Sequence, residues 1–132
     1  DEFIEPQGIV LRQYIPLVKL LEDPINKMPV TMEYRFFCLD GKILSSGFYW
    51  INFVDEVKDL IPTETPDGAT KLVEQVLRIV EDKIRFVVID VALKTNSNEW
   101  IVVELNDGQQ SGISMNDPEI LYKNLYQRLI SG

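Results

Sequence analysis

The chain has 132 residues, of which 45% are hydrophobic and 26% charged, so it is long enough to bury a core as one domain. Its net charge of −8 argues against a nucleic-acid surface, because phosphate binding needs clustered Lys and Arg. A single cysteine excludes an internal disulfide, and the absence of histidine excludes His-based zinc sites and Ser-His-Asp or Cys-His catalysis.

Cys38 lies in the apolar run Phe36–Leu39, where we expect a buried, reduced thiol that acts as a small hydrophobe. A lone thiol fits a reducing compartment, so we expect a cytoplasmic location. No apolar run reaches the roughly 18 residues that a membrane span needs, and no signal peptide is recognisable. We therefore expect neither a membrane nor a nucleic acid as partner. Because the first residue is Asp1 rather than Met, we also expect a fragment or a processed chain.

The first third of the chain is predicted to begin with a strand over Ile9–Ile15, which Pro16 ends. The segment Leu17–Pro29 contains two further prolines, so we predict a loop with a short helical turn there. Next come the aromatic, extended run Thr31–Leu39 and the dipeptide Asp40-Gly41, which is the usual signal for a tight hairpin turn.

The hairpin turn predicts a returning strand over Lys42–Trp50. Pro62–Gly68 is the only linker-like stretch, and its shortness favours a loop over a domain boundary. Apolar residues then recur at helical spacing, which predicts an amphipathic helix over Thr70–Ile84. After it, Phe86–Leu93 is a nearly continuous β-branched run, which is typical of a buried strand.

The last third is predicted to contain a strand over Trp100–Leu105 and a final helix. The helix begins with Asp117-Pro118-Glu119, which combines an N-cap, a proline at the first helical position and an acid in the first turn. Leu121, Leu125 and Leu129 are predicted to form its buried stripe. The elements together predict an α+β domain, an antiparallel sheet with two main helices, as a single domain over residues 1–132.

The predicted hairpin of the last two strands has an unusual acidic face. Strand alternation predicts that Trp100, Val102, Glu104 and Asn106 lie on one side. If the turn is centred near Ser97, Asp90 lies opposite Glu104, whereas a slip of one residue separates them. Like charges directly opposite each other destabilise a strand pair, so a second interaction must offset the repulsion on this face.

A bound cation is one reason for the acidic face. Two carboxylates and the Asn106 amide oxygen suit Mg²⁺, which shares one or two carboxylates with substrate phosphates, better than Ca²⁺. The alternatives are that Asp90 pairs with a Lys or Arg, or lies at the edge of the sheet. Paired carboxylates also act in glycoside hydrolysis, but acids on adjacent strands are too close for most such sites.

The acidic pair belongs to an ordered set of segments that resembles the ATP-grasp superfamily, in particular its clade named for one arginine and two lysines. In chain order, the segments that carry this resemblance are Leu11–Leu17, Glu33–Lys42, Asp90-Val91-Ala92, Trp100–Gln109 and Ser111-Gly112. A Glu-x-Asn triplet alone is a weak signal, whereas the ordered set across residues 9–112 is more specific. The resemblance covers the carboxy-terminal lobe of that fold.

The resemblance implies an ATP- and Mg²⁺-dependent ligase domain that activates a carboxylate as an acyl phosphate and joins it to an amine. It assigns the metal to Asp90, Glu104 and Asn106. It assigns Arg35 to the transferring phosphate as a catalytic residue. It also implies that ATP lays its adenine on backbone groups of a hinge formed by Arg12, Gln13, Tyr14 and Ile15.

The resemblance also implies a second lobe that supplies phosphate-binding lysines and a Gly-rich loop, and we expect the amino-terminal lobe to be absent from this chain. Phosphoryl transfer needs positive charge around the phosphates, so the chain alone is expected to be inactive. Gln109 and Ser111 stand where many ATP-grasp enzymes have a basic residue, which leaves the contacts to the second substrate open.

Several alternatives remain at this point. Arg35 can be the structural counter-ion of Asp90 or Glu104, and Tyr14 and Ile15 can be ordinary core residues. The domain can be a non-catalytic nucleotide-binding or protein-assembly module, or an acidic scaffold whose carboxylates pair internally. A protein partner would be sought at an aromatic cluster, although its members can also be core residues: Phe48, Tyr49, Trp50 and Phe53.

Overall fold

The computed structural model describes residues 8–109 and 111–131 of the chain. Six strands, three α-helices and one 3₁₀ turn follow one another in these residues. In chain order they are β1 (Lys19–Glu22), β2 (Pro29–Thr31), β3 (Glu33–Leu39), β4 (Lys42–Phe48), the 3₁₀ turn Ile51–Phe53, α1 (Val54–Val57), α2 (Asp67–Val80), β5 (Phe86–Leu93), β6 (Trp100–Asn106) and α3 (Pro118–Ile130).

The main sheet has four strands in the order β4-β3-β5-β6, and every neighbouring pair is antiparallel. Strands β1 and β2 form a separate antiparallel ribbon. All seven residues of the central strand β3 are buried, as a strand covered on both faces requires. The antiparallel α+β architecture predicted from the sequence is confirmed.

Helices cover the two faces of the main sheet. On one face, Val73 and Leu77 of α2 pack in a core cluster with side chains that include Phe36 of β3. On the other face, Leu121 of α3 packs in a smaller cluster with side chains that include Phe37. Cys38 belongs to the α2 cluster, where burial raises the pKa of its thiol to about 12, so the predicted buried thiol is confirmed.

The β3–β4 hairpin turns at Asp40-Gly41, as predicted. Asp40 and Gly41 both have positive φ, 49° and 73°, which is the backbone of the tight turns that match the twist of the flanking strands. Arg85 holds the turn from outside through a hydrogen bond of 2.9 Å from its Nε to Asp40 Oδ1.

The strand predicted over Ile9–Ile15 is wrong, because the described residues before Leu17 belong to no strand. The apolar side chains of Ile9 and Leu11 are about 90% exposed, so no neighbouring surface fixes them in an extended ladder. The side chain of Arg12, not backbone pairing, joins this segment to the edge strand β6. The first strand lies further on, at Lys19–Glu22, within the stretch predicted as loop.

Both main helices differ in part from the prediction. Helix α2 begins at Asp67, inside the predicted loop, and ends at Val80, after which residues 81–83 form a turn. Of the predicted stripe on α3, Leu121 is buried but Leu129 is 51% exposed. Helix α3 packs mainly on β4 and β3, so the sheet covers only part of its length. The predicted N-cap is confirmed, since Asp117 accepts hydrogen bonds from the backbone of Glu119 and Ile120.

Candidate functional site

A β-bulge in β6 sets the geometry of the acidic hairpin. Asp90 lies opposite Glu104, but the next pair is Val91 with Val102, so Val103 is an extra residue in β6. Without the bulge, the pairing at the turn end of the hairpin would place Val103 opposite Asp90. The predicted opposition of the two carboxylates is therefore confirmed, and an irregularity of the strand produces it.

The bulge also changes which residues share a face. The alternation predicted Trp100 and Val102 on the side of Glu104, and this is wrong, because both pack against the core cluster beneath α2. Glu104 and Asn106 lie beyond the extra residue, on the other face of the sheet. A bulge inserts one residue and so reverses the faces of everything past it, which alternation alone does not reveal.

Asp90 forms a buried ion pair with Arg35, its partner on β3. Arg35 donates from Nε to Asp90 Oδ1 and from Nη2 to Oδ2, both at 2.8 Å, and the side chains are 8% and 2% exposed. A third bond of 2.9 Å runs from Arg35 Nη1 to the carbonyl of Gly112, and the guanidinium lies 4.8 Å from the ring centre of Tyr49. The hydrogen bonds to Asp90 raise the pKa of Arg35 further above its usual value. The geometry agrees with the alternative in which Arg35 is the counter-ion of Asp90.

Glu104 and Asn106 open onto a polar cavity of about 430 Å³. Glu104 is exposed, and its carboxylate accepts no hydrogen bond within the part of the chain that the structure describes. Asn106 Oδ1 accepts hydrogen bonds from the Gly108 amide at 2.9 Å and from Ser111 Oγ at 2.5 Å. The residues that line the cavity are Arg35, Glu104, Asn106, Asp107, Gln109 and Ser111.

The cavity has the oxygen chemistry that Mg²⁺ prefers, but only part of the predicted ligand set faces it. Across residues 8–109 and 111–131, no group of three or more His, Cys, Asp and Glu side chains is arranged to hold a metal alone. Mg²⁺ with a nucleotide needs only one or two carboxylates, and Glu104 fits this requirement. Asn106 Oδ1 has both lone pairs engaged by Gly108 and Ser111, so it is open to a metal only when the Ser111 hydroxyl turns away. Asp90 is 1% exposed, is paired with Arg35 and is not among the residues that line the cavity.

Glu33 is a third carboxylate that the sequence interpretation missed. It is 7% exposed, and its Oε2 accepts a hydrogen bond of 3.0 Å from Thr31 Oγ1, which itself accepts 3.2 Å from Trp50 Nε1. Burial raises the pKa of Glu33 to about 7, with a smaller contribution from the charge of Asp90. The signal was present in the sequence, because strand alternation places Glu33 on the face of Arg35, two residues away.

The predicted hinge residues lie apart from the acidic cavity. Gln13 is exposed and Tyr14 is 86% exposed, so Tyr14 is not a core residue. Arg12 donates to the carbonyls of Val102 and Val103 at the bulge. Tyr14 and Ile15 line a separate cavity of about 430 Å³, together with Leu17, Lys19, Glu22, Pro29 and Thr31.

The loop after β6 is held on the sheet by Asn116, which is 3% exposed. Its Nδ2 donates to the carbonyls of Arg35 and Ile113, at 3.2 and 2.9 Å, and its Oδ1 accepts from Ser45 Oγ at 2.5 Å. The loop passes so close over Gly47 that any side chain there would lie closer than 3.0 Å to loop backbone atoms. The carbonyl of Gly112 is thereby held where Arg35 reaches it.

The aromatic cluster proposed as a partner surface divides in two. Phe48 is 4% exposed and belongs to the core. Tyr49, Trp50 and Phe53 are half-buried and line another cavity, of about 580 Å³. Arg35 lines this cavity as well, so the two cavities share this residue.

Residues 1–125 match the model of an ATP-grasp domain, family 3 of the clade named for one arginine and two lysines. Since the match covers nearly the whole chain, the chain belongs to this family of ATP-grasp domains, as the ordered motifs indicated. Membership marks it as a nucleotide-binding domain of the ATP-dependent ligase type. The searches of curated proteins and of solved structures give no match. No helix within residues 8–109 and 111–131 is long and apolar enough to cross a bilayer.

Proposed function

We propose that the chain is the magnesium-holding lobe of an ATP-dependent carboxylate–amine ligase that works through an acyl phosphate. The observation that carries the proposal is the cavity of Glu104 and Asn106, which adjoins the buried Arg35–Asp90 pair in a domain of the ATP-grasp family. A cytoplasmic location, an unidentified carboxylate substrate and a possible protein partner belong to the same proposal.

The proposed metal ligands are Asp90, Glu104 and Asn106. Glu104 and Asn106 would face the ion from the cavity, and Asp90 would complete the set through the carboxylate that also holds Arg35. Bound Mg²⁺ would supply positive charge against the phosphates and fix their orientation. The family membership and the hard oxygen donors support this assignment.

Arg35 would stabilise the transferring phosphate without leaving Asp90. A guanidinium has five N–H donors, and the bonds to Asp90 and Gly112 use three of them. The remaining two are free for an anion in the cavity that Arg35 lines. Phosphoryl transfer needs more positive charge than Arg35 alone supplies, because Asp90 already balances this residue. We therefore propose that a second lobe provides further positive charge.

The hinge residues Arg12, Gln13, Tyr14 and Ile15 would receive the adenine in the cavity that Tyr14 and Ile15 line. Thr31 lines the same cavity and donates to Glu33, which is two residues from Arg35 on one face of β3. This row of side chains connects the proposed adenine and phosphate subsites. It supports a nucleotide that lies along the face of the sheet.

Calorimetric titration of Mg²⁺–ATP into the full chain tests the proposal. Glu104→Gln removes one of the two exposed carboxylates that line the cavity, the other being Asp107. We expect it to weaken Mg²⁺–ATP binding about tenfold or more, because a charged oxygen ligand is lost. Glu99→Gln, in the turn of the same hairpin, is the matched control and should bind as the unmodified chain does. Equal affinity in all three proteins would contradict the proposal.

A non-catalytic nucleotide-binding or assembly module is the second candidate. The Arg35–Asp90 pair favours this module, because both oxygens of Asp90 accept from the guanidinium and so neutralise the positive charge that a transferring phosphate would need. Mass spectrometry of reactions with ATP, carboxylates and amines separates the two functions when the chain is tested together with its proposed second lobe, because the chain alone is expected to form no product. A new amide supports the ligase, whereas nucleotide binding without any product supports the module.

A further inference from the structure

The second cavity at Arg35 has a different chemistry from the acidic one. Its volume is about 580 Å³, and half-buried aromatic rings form one wall. The ring of Trp50 contacts Tyr49 edge-on at 5.2 Å between centroids and Phe53 at 6.3 Å, so the three rings form one block. Aromatic walls of this kind attract organic cations, because the face of each ring carries partial negative charge.

Asp23 lies in the wall of this cavity and is 8% exposed. Its Oδ1 accepts a hydrogen bond of 2.9 Å from the Ile25 amide, and its Oδ2 has no partner among the described residues. Tyr34 Oη is the only fully buried, unpaired side-chain polar atom in that part of the chain, so Asp23 Oδ2 must reach open space. An almost buried carboxylate in the wall of the cavity that the aromatic block lines therefore has an oxygen without a partner among the described residues.

The charges around the cavity favour a cation over an anion. Arg35 also lines it, but Asp90 balances this charge at 2.8 Å, and the guanidinium lies against the face of Tyr49. Asp23 has no such counter-ion among the residues that the structure describes. The negative charge of Asp23 would repel a carboxylate ligand, whereas an ammonium group would neutralise this charge.

We propose that this cavity binds an organic ammonium group, with the cation paired to Asp23 and its carbon atoms against Trp50 and Phe53. The binding itself stands on the cavity alone. Its use as the subsite of an amine-bearing acceptor, reaching the acyl phosphate past Arg35, rests on the proposed function. The acceptor would then enter on the side of Arg35 opposite Glu104.

The test is a titration of n-butylammonium into the full chain, followed by NMR of the two indole N–H signals. Trp50 reports on the cavity, and Trp100, which lies in the core cluster beneath α2, is the internal control. We expect saturable shifts of the Trp50 signal alone, with a dissociation constant on the order of 1–10 mM for so small a ligand. Neither n-butanol nor butyrate should reproduce them.

Asp23→Asn is the decisive variant, because an asparagine keeps the oxygen that accepts from Ile25 and removes only the charge. We expect it to weaken n-butylammonium binding about tenfold or more. Asp82→Asn, at an exposed position just after α2, removes the same charge away from the cavity and should leave binding unchanged. If Asp23→Asn lowers stability, Asp23→Glu is the alternative variant. It keeps the negative charge, and we expect it to retain n-butylammonium binding.

Three outcomes would overturn the inference: no shift of Trp50, equal shifts with butanol or butyrate, or undiminished binding by a folded Asp23→Asn protein. None of them depends on ATP. If Mg²⁺–ATP binds at Glu104 while n-butylammonium leaves Trp50 unmoved, the inference fails and the proposed function stands. If n-butylammonium binds through Asp23 while Glu104→Gln leaves the affinity for Mg²⁺–ATP unchanged, the proposed function fails and the cation site stands.

Discussion

Arg35 joins the acidic cavity to the aromatic cavity. It pairs with Asp90 on β5, donates to Gly112 in the loop after β6 and lines both cavities at once. A lysine has no planar fork, so it could not make the two parallel bonds to Asp90 and reach the loop as well. The position of the charge between the cavities therefore depends on Asp90.

Loss of the Asp90 charge should destabilise the fold strongly. Asp90→Asn leaves the Arg35 charge buried without compensation, and we expect the free energy of unfolding to fall by about 3–5 kcal/mol. Urea unfolding measures this loss. The matched acid-to-amide control is Glu99→Gln, which breaks an exposed pair with Lys94 and should cost no more than about 1 kcal/mol. Equal losses in the two variants would show that the Arg35–Asp90 pair does not stabilise the fold.

Glu33 should make stability depend on pH. Its pKa is about 7 in the folded chain against an ordinary 4.5, so the folded state binds more protons between these values. Protonated Glu33 contributes fully to stability below about pH 4.5, and this contribution is lost as the pH rises through 7. We expect the free energy of unfolding to fall by about 3 kcal/mol over this range. Glu33→Gln keeps an acceptor for Thr31 and should lack this dependence. Parallel unfolding profiles from pH 5 to 8 for both proteins would contradict the shift.

At the scale of elements, strand β6 and the loop after it produce the site. A turn centred near Ser97 was sufficient to predict that Asp90 and Glu104 oppose each other, with a slip of one residue left open. The residue types and the spacing carried this prediction. They did not predict the bulge at Val103, because its extra residue fits neither a helical nor an alternating pattern. The Arg35–Asp90 pair was foreseen as an alternative, since a lone acid in an apolar strand requires a partner.

The loop should loosen when Gly47 gains a side chain. A methyl group there would meet the backbone of Met115 and Asn116, and backbone cannot move aside as a flexible side chain does. We expect Gly47→Ala to speed amide hydrogen exchange at Met115 and Asn116, measured by mass spectrometry. Gly112→Ala is the control in the same loop, because a methyl group at Gly112 meets nothing within 4 Å. Unchanged exchange in Gly47→Ala would show that the close contact does not hold the loop.

At the scale of the whole molecule, the four-stranded core could be predicted because its signals are local and agree with one another. Asp40-Gly41 defines one hairpin, and the β-branched run Phe86–Leu93 was predicted with the bounds that the structure shows. The segment Ile9–Ile15 has the composition of a strand but no strand in the described structure. Composition does not show whether an edge is available to pair with, so this prediction failed.

The net charge of −8 predicts that ATP binds as its Mg²⁺ complex and not as the free anion. Metal-free ATP is a polyanion that this chain repels, so Mg²⁺ is needed to offset both the phosphates and the acidic cavity. We expect ATP with EDTA to bind at least about tenfold more weakly than ATP with Mg²⁺ in calorimetry. Equal affinities would mean that the nucleotide binds away from Glu104.

The location of the bound metal decides whether Glu104 belongs to a magnesium–nucleotide site. Mn²⁺ can replace Mg²⁺ in a complex with a non-hydrolysable ATP analogue, and its unpaired electrons broaden the NMR signals of nearby amides. We expect selective broadening at Glu104, Asn106 and Ser111, which is strongly reduced in Glu104→Gln and persists in Glu99→Gln. Broadening that is absent, or that Glu104→Gln leaves unchanged, would contradict a magnesium–nucleotide site on this face of the sheet.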